Sequence, residues 1–157
     1  MAISYSIAKH AAGFPAKCLA SEGGAHILNI KVTTAAGIDN GTWIGKGAYQ
    51  GIDQYLEAAP TSVAGTVLGK SRNGNWYVEI ESAVNAFFVY NVPINAEEWT
   101  NEWKKEGNFF NAKGDIVKAY EVKPFDVVEI SELGFTVAPA AGDTVALSGN
   151  KLVPSHA

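Results

Sequence analysis

Charge and sulfur are both scarce in this chain. Only 18% of its 157 residues are Asp, Glu, Lys or Arg, below the usual quarter. Less of the surface is therefore built purely to be wet. A single cysteine, Cys18, excludes an intramolecular disulfide and fits a reducing compartment or an assembly made there. No block of Lys and Arg occurs, and the net charge is −4 with a pI near 5.3, so nucleic acid is not an expected partner. No apolar run approaches the roughly 20 residues that cross a bilayer, so no membrane partner is expected either. The opening stretch "MAISYSIAKHAAGFPAKCLASEGGA" lacks the continuous apolar segment of a secretory signal. Between Asn111 and Phe135 there is neither His nor Cys.

Hydrophobic residues make up 47% of the chain. At this length that suits one domain with a real core or two small ones. Gly, Ala, Ser, Thr and Asn fill the place of charge, as in loop-rich β proteins and in surfaces that touch neighbours. Residues 1–25 stand apart, with Ile3, Tyr5, Ile7, Phe14 and Leu19 as their only sizeable apolar groups. Ile3, Tyr5 and Ile7 alternate, which suits a short strand or an extended arm. Such a segment cannot build its own core. It is either disordered or ordered by docking, and we read it as a docking arm ahead of a β-rich domain over 26–157.

Strand signals run through that domain. "AHILNIKVTT" places Leu28, Ile30 and Val32 on one face. Asp39-Asn40-Gly41 signals a turn, after which "TWIGKG" resumes as a strand. "AYQGIDQYLEAAP" reads as extended, with one helical turn as the alternative. "TVLGKSRNGNWYVEIES" is the clearest hairpin, turning at Asn73-Gly74. "AFFVYNVPI" is apolar on both faces and so central. "DIVKAYEV" is expected to pair with "DVVEISEL", and "FTVAPAAGDTVALSGNKLV" to close the domain. Gly114-Asp115-Ile116-Val117 and Gly142-Asp143-Thr144-Val145 share a Gly-Asp-x-Val start, as expected of a turn leading into a buried strand. About eight to ten short strands result. The fold class is mainly β, a β-sandwich or barrel-like domain with one short helix and an extended N-terminal arm.

The helix is "NAEEWTNEWKKEGN". Asn95 caps it, with Glu98 three residues on. Trp99 and Trp103 share a face, Lys104 and Lys105 fill the last turn, and Gly107 ends it.

Candidate chemistry is thin. His10, His26 and His156 lie far apart, and no metal-ligand spacing occurs. Cys18 has no obvious positioned base, and its bland reading is a small semi-buried residue. Gly65–Ser71 ends in Gly-Lys-Ser like a phosphate loop, but its glycines are one position too close and it leads into a hairpin. Glu79 and Glu81 could converge on one strand face as a glycosidase pair; Glu129 and Glu132 are a second pair. The wet face of a strand explains such residues more simply. Trp99 and Trp103 with Phe109 and Phe110 form an apolar cluster that suits core packing, a partner contact or sugar stacking. The residues proposed to bind a partner are Ile3, Tyr5, Ile7, Phe14, Leu19, Trp99 and Trp103. No catalytic residue, metal or cofactor is expected.

Four stretches go together: "NGNWYVEIE", "FFVYNVPI", Lys118-Ala119-Tyr120-Glu121-Val122 and Phe125-Asp126-Val127-Val128-Glu129-Ile130-Ser131. Through them Val63–Val153 resembles the small decoration, or cement, proteins of tailed-bacteriophage heads. The chain departs from that pattern at Phe125, where the pattern has Gly. The resemblance implies a non-enzymatic structural protein on the capsid exterior, made in the host cytoplasm. Its partner would be the major capsid protein, with copies assembling as a homo-oligomer on the shell. The alternatives are a carbohydrate-binding β-sandwich of a virion surface and a small hydrolase using Glu79 and Glu81.

Overall fold

A computed structural model describes residues 10–18, 26–91 and 110–156. The chain is mainly β, with eleven strands among these residues. In order they are β1 (Gly13–Lys17), β2 (Ile27–Lys31), β3 (Trp43–Gly51), β4 (Gln54–Ala58), β5 (Ser62–Lys70), β6 (Trp76–Val84), β7 (Phe87–Val89), β8 (Ile116–Glu121), β9 (Val127–Ile130), β10 (Thr144–Ser148) and β11 (Lys151–Ser155). Six form an open sheet in the order β1-β9-β6-β5-β10-β11, and β2-β4-β3-β7-β8 close into a barrel. One 3-10 turn, Glu132–Gly134, follows β9. The helix expected over residues 96–106 lies outside the described residues.

Alternation within single strands feeds two cores, because successive side chains point to opposite faces. Ile44, Val89, Val117 and Ala119 join Ile30, Val32 and Ile38 in one cluster, built almost wholly from barrel strands. Their immediate neighbours Trp43, Phe88 and Tyr120 belong to the other cluster, with Val67, Val78, Ile80, Val128, Ile130 and Leu152 from the sheet. The two-faced apolar pattern of "AFFVY" is thus satisfied on both sides, with β7 lying between β3 and β8. Burial of each large apolar side chain is worth about 1.5–3 kcal/mol, so the first cluster stabilises the barrel itself and the second holds barrel and sheet together.

Two expectations are corrected here. Strands β8 and β9 do not pair with each other: β8 pairs with β2 and β7, and β9 with β6 and β1. The cause is the turn between them. Phe125 N donates to Ile80 O and Ile80 N donates to Asp126 O, so the chain is committed to β6 before β9 begins. The second correction concerns residues 10–18. Gly13 pairs with Ile130 and Phe14 with Glu129, while Ala11, Ala12 and Cys18 are buried, so this part of the expected arm is built into the sheet. Small residues permit it. A Cβ at Gly13 would lie 2.3 Å from the Gly41 Cα, closer than atoms pack, so β1 passes this close to Gly41 only because Gly13 lacks one.

The open sheet ends in β1 and β11, and each carries a proline, Pro15 and Pro154. Proline has no N–H to offer a further strand, which is why it is tolerated at edges.

Candidate functional site

A cluster of buried amides lies at the end of the barrel where β2 finishes. Asn111 is 1% exposed and Asn40 4%, so their polar groups need partners within the protein. They have them. Asn111 Nδ2 donates to Ile38 O at 3.0 Å and to Asn40 Oδ1 at 3.2 Å. Asn91 N donates to Asn40 Oδ1 at 3.0 Å, and Asn40 Nδ2 returns a bond to Asn91 O at 2.8 Å. Asn91 Nδ2 reaches Asn111 Oδ1 at 3.4 Å, and the main chains of Ile38 and Asn111 exchange two bonds. This clamp joins the two points from which residues 92–109 leave and re-enter the described body.

The N-terminal end of the described chain is fixed at the same place. The His10 ring lies 2.7 Å from Asp39 Oδ1 through Nδ1, and Ala11 N donates to Asp39 Oδ2 at 3.0 Å. The same ring stacks on Phe110 with centroids 4.9 Å apart. Ala12 N donates to Ser131 Oγ at 2.8 Å, and Ser131 N to Ala12 O. Residues 1–9 and 92–109 are therefore rooted side by side. Of the residues proposed to bind a partner, Ile3, Tyr5, Ile7, Leu19, Trp99 and Trp103 lie outside the described residues. Phe14 is in β1, half-buried, its ring 5.7 Å from Tyr90.

The opposite end of the barrel has another character. Strand β2 starts there beside the end of β8, and β4 runs parallel to β2 from the same side. Two turns leave this end with exposed apolar residues. Between β3 and β4, Gly51 faces Gln54 and the two-residue loop holds Ile52 and Asp53 at φ of 52° and 55°, a type I′ geometry. Ile52 is 90% exposed. After β8 comes Lys123-Pro124-Phe125-Asp126. This is one of three turns built alike. In each, the fourth residue is an Asp whose N–H donates to the first carbonyl and whose carboxylate accepts the first N–H: Ala112 with Asp115, Lys123 with Asp126, Ala140 with Asp143. The third position has positive φ in all three, and it is Gly114, Phe125 and Gly142. Phe125 is 81% exposed.

Titratable groups are dispersed. Each described histidine faces one carboxylate: His10 with Asp39, His26 with Glu121, His156 with Asp143. Among the described residues no three His, Cys, Asp or Glu gather as a metal site would require. Burial, then the nearby Asp126 carboxylate, pushes the Cys18 thiol up to about 12, so it carries little thiolate at neutral pH. Burial also raises the Tyr120 hydroxyl. The Lys123 hydrogen bond chiefly holds Glu121 below the usual carboxylate range, with His26 contributing in the same direction.

A bulge makes Ser82 face Ala64 and Ile80 face Gly65, which leaves Glu81 as the extra residue and breaks the strict alternation assumed for Glu79 and Glu81. Glu81 takes a bond from Thr66 Oγ1. Glu129 is occupied by Ser71 and Asn75 of the β5–β6 turn. Sequence reasoning missed the three clamp asparagines. Their signal was an Asn embedded among apolar residues, as in "VYNVP" and "FFNAK", rather than in a polar loop.

No family model, curated protein or solved structure matches the chain.

Proposed function

We propose that this chain is a non-enzymatic decoration protein that binds the outside of a phage head and stabilises joints between major capsid subunits. The observation that carries the reading is the common root of residues 1–9 and 92–109. These segments hold Ile3, Tyr5, Ile7, Trp99 and Trp103, and on a two-core β body the Asn40–Asn91–Asn111 clamp fixes the root of one while Asp39 fixes the root of the other. Such a body delivers apolar contacts to a neighbour from a rigid base. Fixing the roots lowers the ordering cost on binding, and repetition over a symmetric shell multiplies each modest contact.

Binding only the closed shell would stabilise it by mass action. Heads prepared without the protein are expected to open at lower temperature than decorated heads. Adding purified protein should restore the opening temperature and saturate at a fixed copy number. Removing residues 1–9, or replacing Trp99 and Trp103 with Ala, should weaken binding while the far-ultraviolet β signature stays. Heads that open identically with and without the protein would overturn the reading.

One observation favours carbohydrate binding instead. Tyr49 is 59% exposed and its ring lies 5.4 Å from Tyr55, over which Lys46 Nζ sits at 4.3 Å. Exposed rings of this kind stack on sugars. Glycan-dependent tyrosine or tryptophan fluorescence, lost in Tyr49→Ala, would support it.

A further inference from the structure

The geometry points to self-association: two copies of this chain pair about a twofold axis, each inserting Phe125 into a groove beside the other's Phe125. The inference does not rest on the capsid reading. It begins with the three Asp-closed turns. Two place Gly at the third position, with φ of 93° and 91°, where an L side chain is disfavoured and Gly is not. A Cβ at Gly114 or Gly142 would meet nothing within 4 Å. The third turn has Phe125 at φ 73°. Pro124 before it presets the turn, and bonds to Ile80 fix its backbone. A bulky residue here is strained, and the local fold would be better served by Gly. Among the described residues the ring recovers little, because it is 81% exposed. A residue that costs the monomer on two counts has its use outside the monomer.

The same patch holds a place for such a ring. A groove of about 320 Å³ runs between the end of β6 and the stretch after β8, and Ala83, Ala86, Phe87, Val122 and Pro124 supply its apolar lining. Phe125 does not line it. Glu121 and Lys123 border it, 2.5 Å apart, with His26 on the other side of Glu121. A twofold contact uses one patch twice, so that patch must be complementary to itself. This one is: it holds a knob and a hole side by side, and both signs of charge. A different partner would need only the knob. A single inserted aromatic buries about 150–250 Å², and the twofold axis doubles that.

Sedimentation of the full chain over a concentration series tests the proposal. The wild type should pass from monomer to a dimer that goes no further. Phe125→Gly should weaken association by at least about thirtyfold, as loss of a central anchor does, yet melt no lower than the wild-type monomer. Phe125→Leu should retain most of the association. The proposal is overturned by a wild type that stays monomeric throughout, by Phe125→Gly pairing as well as wild type, or by open-ended polymers. It is also overturned if Phe125→Gly loses only a contact with some other protein.

Discussion

At the end of the barrel where β2 finishes, Asn40 and Asn111 are buried and Asn91 is half-buried, with their amides paired. At the end where β2 begins, Ile52 and Phe125 are exposed and hold positive φ. The first end places polar groups inside, the second places apolar groups outside, and both run against the usual partition. The polar inversion is compensated within the chain, by hydrogen bonds that lock two segment roots together. The apolar inversion is not compensated anywhere in the described body. Burial without strain marks a device that works by itself. Strain with exposure marks one completed by something else.

The contrast is open to attack, beginning at the clamp. Asn111→Ala removes three side-chain bonds, takes the acceptor from Asn91 Nδ2, and cuts Asn40 Oδ1 and Ile38 O from two donors to one each. The expected loss is about 2–4 kcal/mol, read as a lower melting temperature. A change within error would mean that the clamp holds nothing. Next, Gly13→Ala sets a methyl against Gly41 and the Phe88 ring. Overpacking of this kind costs about 1–3 kcal/mol, and amide exchange should quicken in β1 and β9 first. At the other end the sign reverses. Ile52→Asn should gain about 1 kcal/mol, because Asn tolerates the left-handed region that β-branched Ile resists. A loss there would show that Ile52 packs within the chain.

The smallest effect concerns Glu121. Its folded pKa lies below its unfolded one, so its contribution is present above the unfolded carboxylate range and lost as pH falls through the folded value. Lys123→Met should raise the Glu121 titration midpoint followed by NMR and flatten the acid limb of the stability curve. The effect is modest, since about a third of the Glu121 side chain is exposed.

Much of the strand content was legible because alternation is local. Trp76, Val78 and Ile80, or Ile30 and Val32, reveal a buried face without knowing what covers it. Pairing was less legible. Nothing in "DIVKAYEV" says that its neighbours are β2 and β7, since that depends on where the Lys123–Asp126 turn sends the chain. Residues 10–18 were misread for a related reason: few large side chains suggested an arm, but close crossing of backbones needs that same smallness. The clamp was hidden because Asn40 beside Gly41 signals a turn equally well whether its amide faces water or Asn111. Phe125 stood out as a departure from a glycine pattern, but its φ and exposure became visible only with the backbone in place.

The pairing of β1 with β9 also sets an order of events during synthesis. The first strand finds no partner until Val127–Ile130 has been made, whereas β2 meets Gln54–Ala58 early and gains its second neighbour, Ile116–Glu121, only later. At ordinary translation rates the delay between Lys17 and Val127 is roughly 5–22 s. For that time an unpaired strand hangs from each ribosome, close to those of neighbouring nascent chains. Such distant pairings also fold slowly, so the exposure continues after release. Pro15 lies within that waiting strand, and its missing N–H interrupts any ladder that two nascent copies could begin together.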